Sequence, residues 1–190
     1  MNEPEEPIIN LRGAKVGLGP LRKEVLPTVT RWMNDFEVTR TLAVGMRPIT
    51  LEEEEAWYEG HTRGGPHDRQ FLIYRLSDLR PVGLCGLHRV DAANGLGELG
   101  ILIGEKDEWG KGYATESCRL LVGYGFDALG LHSIMLRAFG NNLRGLKAYE
   151  RAGFKEFCRW RQAVRVGRQR FDMIHMDCLA SEFEAVRHSA

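Results

Sequence analysis

The stretch Trp109-Gly110-Lys111-Gly112-Tyr113-Ala114 lies between a strand-like run, Gly97 to Gly104, and a helical pattern that runs from about Ala114 to Leu129. Glycines in such a turn allow consecutive backbone N–H groups to point into one concavity. The helix that follows adds the partial positive charge of its N-terminus. The stretch is therefore a candidate site for a phosphate or pyrophosphate group, with an ordinary strand-to-helix turn as the equal alternative on the glycine pattern alone. Its glycine spacing matches neither a P-loop nor the dinucleotide-binding fingerprint.

The patterns on both sides of this turn predict the fold class. Upstream, strand-like runs at Gln70 to Arg75, Pro81 to Val90 and Gly97 to Gly104 are separated by turn residues, which favours an antiparallel meander. Downstream, a strand over Ser133 to Phe139 precedes a helix over Leu143 to Arg151, and a strand-rich region follows. This order predicts an α/β (α+β layered) fold with a mixed sheet.

The N-terminal third is predicted to be mainly helical. A short edge strand between Lys15 and Leu21 precedes a helix over Glu24 to Trp32. A second helix begins at Thr50, where Thr50 and Glu53 have the spacing of a capping box. We expect residues 1–14 to be a loose leader and residues 15–190 to form a single domain.

Composition excludes several classes of protein. The 190 residues are 43% apolar and 27% charged, which excludes a disordered or fibrous chain. Basic and acidic residues number 26 each, so no overall field favours nucleic acid, although a local basic patch is still allowed. No apolar run approaches the roughly 20 residues that span a bilayer. The acidic N-terminus has no apolar core, so we expect no signal peptide and a cytoplasmic location.

Cysteine and histidine spacings predict no metal site. The four cysteines, at positions 85, 118, 158 and 178, contain no short Cys-x-x-Cys-like spacing. The six histidines do not cluster in the sequence. We therefore expect no metal, and thiols that remain reduced in the cytoplasm.

Two sequence blocks resemble the GCN5-related N-acetyltransferase (GNAT) superfamily. The first is the stretch from Trp109 to Ala114, in which tryptophan replaces the glutamine or arginine that usually opens the signature. The second is Asn142 followed by Tyr149 and the run Glu150-Arg151-Ala152-Gly153-Phe154. Further short matches point to the branch that includes the RimJ/RimL ribosomal-protein acetyltransferases: Trp32-Met33-Asn34-Asp35, Glu98-Leu99-Gly100 and Asp172-Met173.

The resemblance implies a mostly antiparallel central sheet whose splayed strands hold acetyl-CoA as co-substrate. Backbone N–H groups of the turn would bind the pyrophosphate, and the backbone of Ile101 and Ile103 would pair with the pantetheine amides. Asn142 would hydrogen-bond the cofactor, although its position also suits a helix N-cap. The residues that the resemblance assigns to the cofactor are Ile101, Ile103, Trp109, Gly110, Lys111, Gly112, Tyr113, Ala114, Asn142 and Arg144.

Two catalytic residues are expected from the same resemblance. Tyr149 would donate its proton to the departing thiolate, because a phenol and a thiolate of CoA have comparable basicity. The alternative is a core aromatic whose hydroxyl is satisfied elsewhere. Glu98 would be the general base, directly or through a water; the alternatives are an exposed strand-end carboxylate and a reaction without a dedicated base.

We expect direct acetyl transfer to a primary amine in a ternary complex. The branch favours a protein N-terminal α-amine; a polyamine, an aminoglycoside or an amino sugar is the alternative acceptor. A non-catalytic acyl-CoA-binding sensor is a hypothesis of another class. The strand-rich C-terminal region would allow a homodimer by extension of the sheet.

Overall fold

The computed structural model describes residues 6–43, 45–62 and 68–187. Its helices are α1 (Leu26–Asn34), α2 (Phe36–Thr39), α3 (Leu51–Thr62), α4 (Tyr113–Asp127), α5 (Leu143–Arg151) and α6 (Ala180–Arg187). Its strands are β1 (Leu11–Arg12), β2 (Val16–Gly19), β3 (Arg69–Arg75), β4 (Arg80–Asp91), β5 (Leu96–Ile103), β6 (Ser133–Phe139), β7 (Lys155–Val166) and β8 (Gln169–Leu179).

All eight of these strands form one sheet in the order β1-β2-β3-β4-β5-β6-β8-β7. Neighbouring strands are antiparallel except β5 and β6, which run parallel. The meander predicted from the sequence is confirmed as β3, β4 and β5. The C-terminal strands form a long hairpin, β7–β8, with its turn at Gly167, where φ is +61°.

The buried core lies between the sheet and α4. Cys118, Leu121 and Val122 of this helix are fully buried and pack against Ile134 and Leu136 of β6. The helix predicted from about Ala114 to Leu129 is therefore confirmed, and its buried face fixes α4, which carries the glycine-rich turn at its N-terminus, against the sheet.

Two local differences from the predicted elements have clear causes. Leu11 and Arg12, within the expected leader, pair with Leu18 and Gly17 of β2. The backbone N–H groups of Ala14 and Lys15 donate to the carboxylate of Glu116 on α4, which ties this segment down. Residues 1–5 of the leader lie outside the described residues. The short helices α2 and α6 were not predicted, because neither has a long apolar repeat.

The predicted capping box is present at the start of α3. The N–H of Glu53 donates to Thr50 Oγ1 at 3.2 Å, and the N–H of Thr50 donates to Glu53 Oε2 at 3.3 Å. These reciprocal bonds satisfy two N–H groups that the first turn of a helix leaves without partners.

Strands β5 and β6 separate part-way along their length. They pair only at Leu96 with Ser133, Gly97 with Ile134 and Glu98 with Met135. Beyond Glu98, β5 continues to Ile103 with β4 as its neighbour, so its other edge is open. The splay therefore leaves a gap that ends at the glycine-rich turn.

Candidate active site

Two adjoining cavities lie beside the open edge of β5. The larger, about 420 Å³, extends to the glycine-rich turn and the start of α5. The smaller, about 140 Å³, lies between β5, β6 and Met173 of β8. Both cavities are lined by Thr41, Leu42, Ile101, Asn142 and Tyr149. These five residues therefore mark the boundary across which a group bound in one cavity would meet a group bound in the other.

The glycine-rich turn has the geometry of an anion site. Gly110 and Gly112 have φ values of +81° and +89°, which favour glycine. Gly112 is the N-cap of α4, and no side chain caps this helix N-terminus. The first amide N–H groups of α4, from Tyr113 and Ala114, therefore remain available to an anion in the larger cavity.

Charged contacts hold the turn in place. The ammonium group of Lys111 lies 3.0 Å from Glu108 Oε2, so this lysine is ion-paired rather than free in solvent. The ammonium group of Lys15 donates to the carbonyl of Lys111 at 3.2 Å. The same ammonium group lies 3.8 Å from the position that a Cβ on Gly112 would occupy. Lys15 thus adds positive charge to the turn.

Trp109 explains the departure from the usual signature residue. Its indole N–H donates to the carbonyl of Ile103 at 2.8 Å, which ties the turn to the end of β5. The guanidinium carbon of Arg144 lies 3.7 Å from the centroid of the tryptophan ring. Both residues line the larger cavity. Arg144 is therefore not simply a solvated arginine: it stacks on Trp109 at the cavity wall.

The positive charge near Arg144 is concentrated. Burial, and then the nearby charge of Arg40, lower the pKa of Arg144, while Glu37 acts in the opposite direction. An arginine remains charged after such a shift. Arg144 lines the larger cavity and is repelled by the nearby Arg40, so an anion bound beside Arg144 would relieve that repulsion.

The two isoleucines of β5 have different environments. Both line the larger cavity, on the edge that the splay leaves open. The carbonyl of Ile103, however, accepts the indole N–H of Trp109. Ile101 is the better placed of the two, because it also lines the smaller cavity.

Asn142 caps α5 and also faces the cavities. Its Oδ1 accepts the N–H of Gly145 at 3.0 Å, and its backbone N–H donates to the carbonyl of Phe139 at 2.8 Å. Its side chain lines both cavities. The N-cap reading is therefore confirmed, and the amide nitrogen of the same side chain is left to donate a hydrogen bond.

Tyr149 is buried at the boundary of the two cavities, with 9% of its surface exposed. Its ring packs edge-on against Phe154, with centroids 6.4 Å apart. Among the described residues no hydrogen-bond partner holds the phenol. Burial, assisted by neighbouring Cys118, raises its pKa above the ordinary value of a tyrosine. The phenol therefore stays protonated and able to donate at neutral and alkaline pH.

Glu98 lines the smaller cavity but is engaged by two arginines. Its Oε1 lies 2.7 Å from Arg137 Nε, and its Oε2 lies 2.6 Å from Arg89 Nη1. Only 15% of its side chain is exposed. Guanidinium groups thus engage both oxygens of the carboxylate, and the arrangement favours a structural ion pair over the proposed general base.

Sequence reasoning missed two buried carboxylates beside the turn. Glu105 accepts hydrogen bonds from Trp32 Nε1 at 2.8 Å and Arg80 at 2.6 Å, and also pairs with Arg31. Burial opposes ionisation, but the bonds from Trp32 and Arg31 hold the pKa of Glu105 below its usual value.

Glu108, fully buried through its side chain, pairs with Arg75 and Lys111. The two glutamates stand three residues apart across a single 3-10 turn, Lys106–Glu108, so both project to the same side. That i, i+3 spacing was the available sequence signal.

Two further side chains that could serve a site, Trp32 and His88, have structural roles. Trp32 is only 1% exposed, and its indole binds Glu105 rather than an acceptor. His88 lies 3.7 Å from Asp68 and lines neither cavity, and burial lowers its pKa. No group of three metal-ligating side chains occurs among the described residues. Within the same part of the chain, no helix is long and apolar enough to cross a membrane.

Comparison with known proteins agrees with this geometry. A family profile described as an acetyltransferase (GNAT) domain matches residues 15–155. The N-acetyltransferase p20 of Bacillus licheniformis, itself uncharacterised, is 28% identical over 135 residues, which cover 68% of each chain. YdaF of Bacillus subtilis, named as a putative ribosomal N-acetyltransferase, is 32% identical over 102 residues, covering 54% of this chain and 55% of that protein.

Two solved structures share the fold. The spermidine N-acetyltransferase of Vibrio cholerae, in complex with CoA and spermine, has a TM-score of 0.81 at 22% identity and covers 90% of this chain and 99% of that chain. A GNAT-family acetyltransferase of Bacillus anthracis has a TM-score of 0.78 at 17% identity with the same coverage.

The splayed sheet, the uncapped helix behind a glycine-rich turn and the adjoining cavities fit an enzyme that brings a phosphate-bearing substrate to a second substrate. Together with the match to residues 15–155, they show that the chain belongs to the GNAT acetyltransferase family. It is an N-acetyltransferase that uses acetyl-CoA as co-substrate.

Replacing Gly112 with alanine tests the turn. At φ +89° a Cβ costs about 1 kcal/mol or more, so the turn should shift to relieve the strain. We expect the KM for acetyl-CoA to rise about fivefold or more, with a smaller change in kcat. The matched control is Gly130→Ala, which places the same strain (φ +65°) in the loop after α4, outside both cavities. Equal KM values in the two variants would contradict an anion-binding turn.

Proposed function

We propose that this chain transfers the acetyl group of acetyl-CoA directly to the α-amine at the N-terminus of a polypeptide, in a ternary complex. The observation that carries the choice of acceptor is the charge of the smaller cavity. Its only charged lining residues, among those described, are Glu98 and Arg137, and the carboxylate is engaged on both oxygens.

The larger cavity is the proposed donor site. Its volume of about 420 Å³, its uncapped helix N-terminus and the stacked guanidinium of Arg144 fit a ligand that has phosphates at one end and an extended arm. The open edge of β5 at Ile101 would align the arm by backbone hydrogen bonds. When bound, the co-substrate supplies a thioester carbonyl and a thiolate leaving group.

Tyr149 is the proposed general acid. Its phenol lies where the two cavities meet, and its raised pKa keeps the proton on the oxygen until a strong base forms beside it. A thiolate that leaves the acetyl carbon is such a base, so the proton would pass from the phenol oxygen to the sulfur. Asn142 would position the reacting groups through its free amide nitrogen.

The cysteines support direct transfer rather than an acyl-enzyme. Cys118 is buried beneath Tyr149, and burial raises its pKa to about 12. Cys85 and Cys178 are buried as well, and exposed Cys158 lies on β7, away from both cavities. None of these thiols is placed to take the acetyl group. All four are free, which is consistent with the proposed cytoplasmic location.

The smaller cavity is poorly suited to a polycation. Glu98 is the only acidic residue among its described lining residues, and arginines engage both of its oxygens, so no free carboxylate is left for the ammonium groups of a polyamine. A polypeptide N-terminus brings one amine with a pKa near 8, of which a useful fraction is neutral without a dedicated base. The resemblance to YdaF supports the same acceptor.

A polyamine is the second candidate, and the V. cholerae structure with spermine favours it through the shared fold. The exposed carboxylates at the start of α3 would attract a polyamine, although Glu53 pairs with Arg47 and caps the helix. This helix lines neither cavity.

Release of CoA thiol with separate acceptor pools tests the proposal. We expect release with peptides of varied N-terminus and little with polyamines, aminoglycosides or amino sugars. With the best peptide, kcat/KM should rise with pH and level off near pH 8; a polyamine would give a rise that continues towards pH 10. A small-amine pool that alone releases CoA would overturn the choice of acceptor. Binding of acetyl-CoA without release in any pool would favour the sensor.

A further inference from the structure

The β7–β8 hairpin extends beyond the rest of the sheet. Strand β6 pairs with β8 from Ser133–Leu179 to Phe139–Met173, whereas β7 continues alongside β8 to the pair Val166–Gln169. Residues 161–171 therefore form a two-stranded projection, which we term the arginine ribbon. Its turn, at Gly167, is exposed.

All charged residues of the ribbon are positive. Residues 161–171 include four exposed arginines (Arg161, Arg165, Arg168 and Arg170) and no acidic residue. The first three form no ion pair within 4 Å with any described residue. Asp172, at the base of the ribbon, is engaged by Arg159 at 3.3 Å and by the N–H of Gln162 at 2.9 Å. A chain that is neutral overall thus carries uncompensated positive charge at this projection.

Exposed aromatic surface lies beside this charge. The side chain of Trp160, next to the first ribbon arginine, is 66% exposed, and that of Phe157 is 56% exposed. Trp160 pairs with Met173 across the hairpin, at the point where the ribbon leaves the sheet. An indole this open neither stabilises the core nor lines a cavity.

We propose that the arginine ribbon binds single-stranded nucleic acid, with the guanidinium groups on phosphates and Trp160 stacked on a base. All of its cations are arginines, which bind phosphate oxygens through two parallel N–H donors. Positive charge along a strand next to an exposed aromatic ring is the usual basis of single-strand binding. Whole-chain neutrality excludes a general nucleic-acid binder, but it averages over this local concentration.

Two other occupants fit less well. Extension of the sheet along the ribbon by a second copy, about a two-fold axis through residue 163, would place Arg161 of one copy beside Arg165 of the other, and like charges across a strand pair are destabilising. An acidic protein would match the charge but would give the exposed indole no comparable partner.

Fluorescence anisotropy with labelled, unstructured 20-nucleotide RNA and DNA tests the proposal without any acetyl transfer. We expect micromolar binding at 100 mM salt. The triple variant Arg161→Gln/Arg165→Gln/Arg168→Gln should bind at least tenfold more weakly, and its slope of log K against log salt should fall by about 2. Trp160→Ala should weaken binding about tenfold. If RNA bound more tightly than DNA, the ribbon would contact the 2′-hydroxyl groups as well as the phosphates. Equal affinities would mean that it contacts the phosphates and bases alone.

The matched control is Arg12→Gln/Lys23→Gln/Arg47→Gln, which removes the same charge from exposed residues outside the hairpin. It should bind like the parent chain, and all variants should retain the parent circular dichroism. Absence of binding, or equal weakening by both triple variants, would overturn the proposal. If polyglutamate competed as well as nucleic acid at equal charge, the proposal would be overturned in favour of an acidic protein partner. If the parent chain formed a concentration-dependent dimer that only the ribbon variant lost, it would be overturned in favour of a second copy of the chain.

Discussion

Replacing Tyr149 with phenylalanine is expected to lower kcat by about two orders of magnitude while leaving the Kd for acetyl-CoA nearly unchanged. The substitution removes one oxygen from a ring that is otherwise held by Phe154 and the core. The thiolate would then leave without a proton donor. Initial rates with saturating acceptor, together with calorimetry of acetyl-CoA binding, measure the two effects separately.

The control for this substitution is Tyr124→Phe. Tyr124 is half-buried on α4, packs edge-on against Phe71 and lines neither cavity. Its loss of a hydroxyl should leave kcat within about twofold. If Tyr149→Phe also kept the parent kcat, water rather than the phenol would protonate the sulfur.

The pH dependence gives an independent check on the general acid. A general acid is active while protonated, and the pKa of Tyr149 is raised by burial. The fall in kcat that follows deprotonation of Tyr149 should therefore occur at a pH above the ordinary pKa range of a tyrosine. An alkaline fall in kcat near pH 9 that Tyr149→Phe abolishes would contradict this order of pKa values.

The geometry of the proposed donor side of the site could be predicted from sequence because neighbouring residues determine it. A glycine at φ +89° followed by an uncapped helix is a property of a few neighbouring residues, and so is the N-cap at Asn142. The strands on either side of the turn were predicted nearly to the residue, because their alternation and turn chemistry are also local.

The ion pairs around the site could not be predicted in the same way. Glu98 meets Arg137 across 39 residues of chain, and it meets Arg89 at an irregularity where the β4–β5 register shifts after His88. A carboxylate's value as a base depends on such partners, which sequence spacing does not show. Whether Glu98 is free to act as a base could therefore not be predicted from its position in the sequence.

Glu108 shows the same limit in a residue that sequence reasoning passed over. It stands in the acidic run 105–108, where carboxylates are usually solvated, yet its side chain is fully buried. Arg75 of β3 and Lys111 of the turn both pair with it. One buried carboxylate therefore links the sheet to the proposed donor site.

Glu108→Ala is expected to destabilise the fold by about 2 kcal/mol, since it removes a buried carboxylate that accepts charge-assisted bonds from Arg75 and Lys111. For a chain of this size, that loss corresponds to a fall in Tm of roughly 4–8 °C. Because Lys111 also loses its anchor, the KM for acetyl-CoA should rise at temperatures where the variant is still folded. Calorimetric melting and initial rates at 20 °C measure the two consequences.

Asp78→Asn is the matched control, because it removes the exposed partner of the same arginine. Asp78 Oδ1 lies 2.8 Å from Arg75 Nε, and that arginine lowers the pKa of Asp78 to about 2, but 45% of the aspartate side chain is exposed. Solvent screens such a pair, so its loss should change Tm much less. If Glu108→Ala and Asp78→Asn had the same Tm, the burial of Glu108 would not make its ion pairs more stabilising than the exposed pair of Asp78. A Tm loss in Glu108→Ala with an unchanged KM would show that Glu108 supports the fold without positioning the turn.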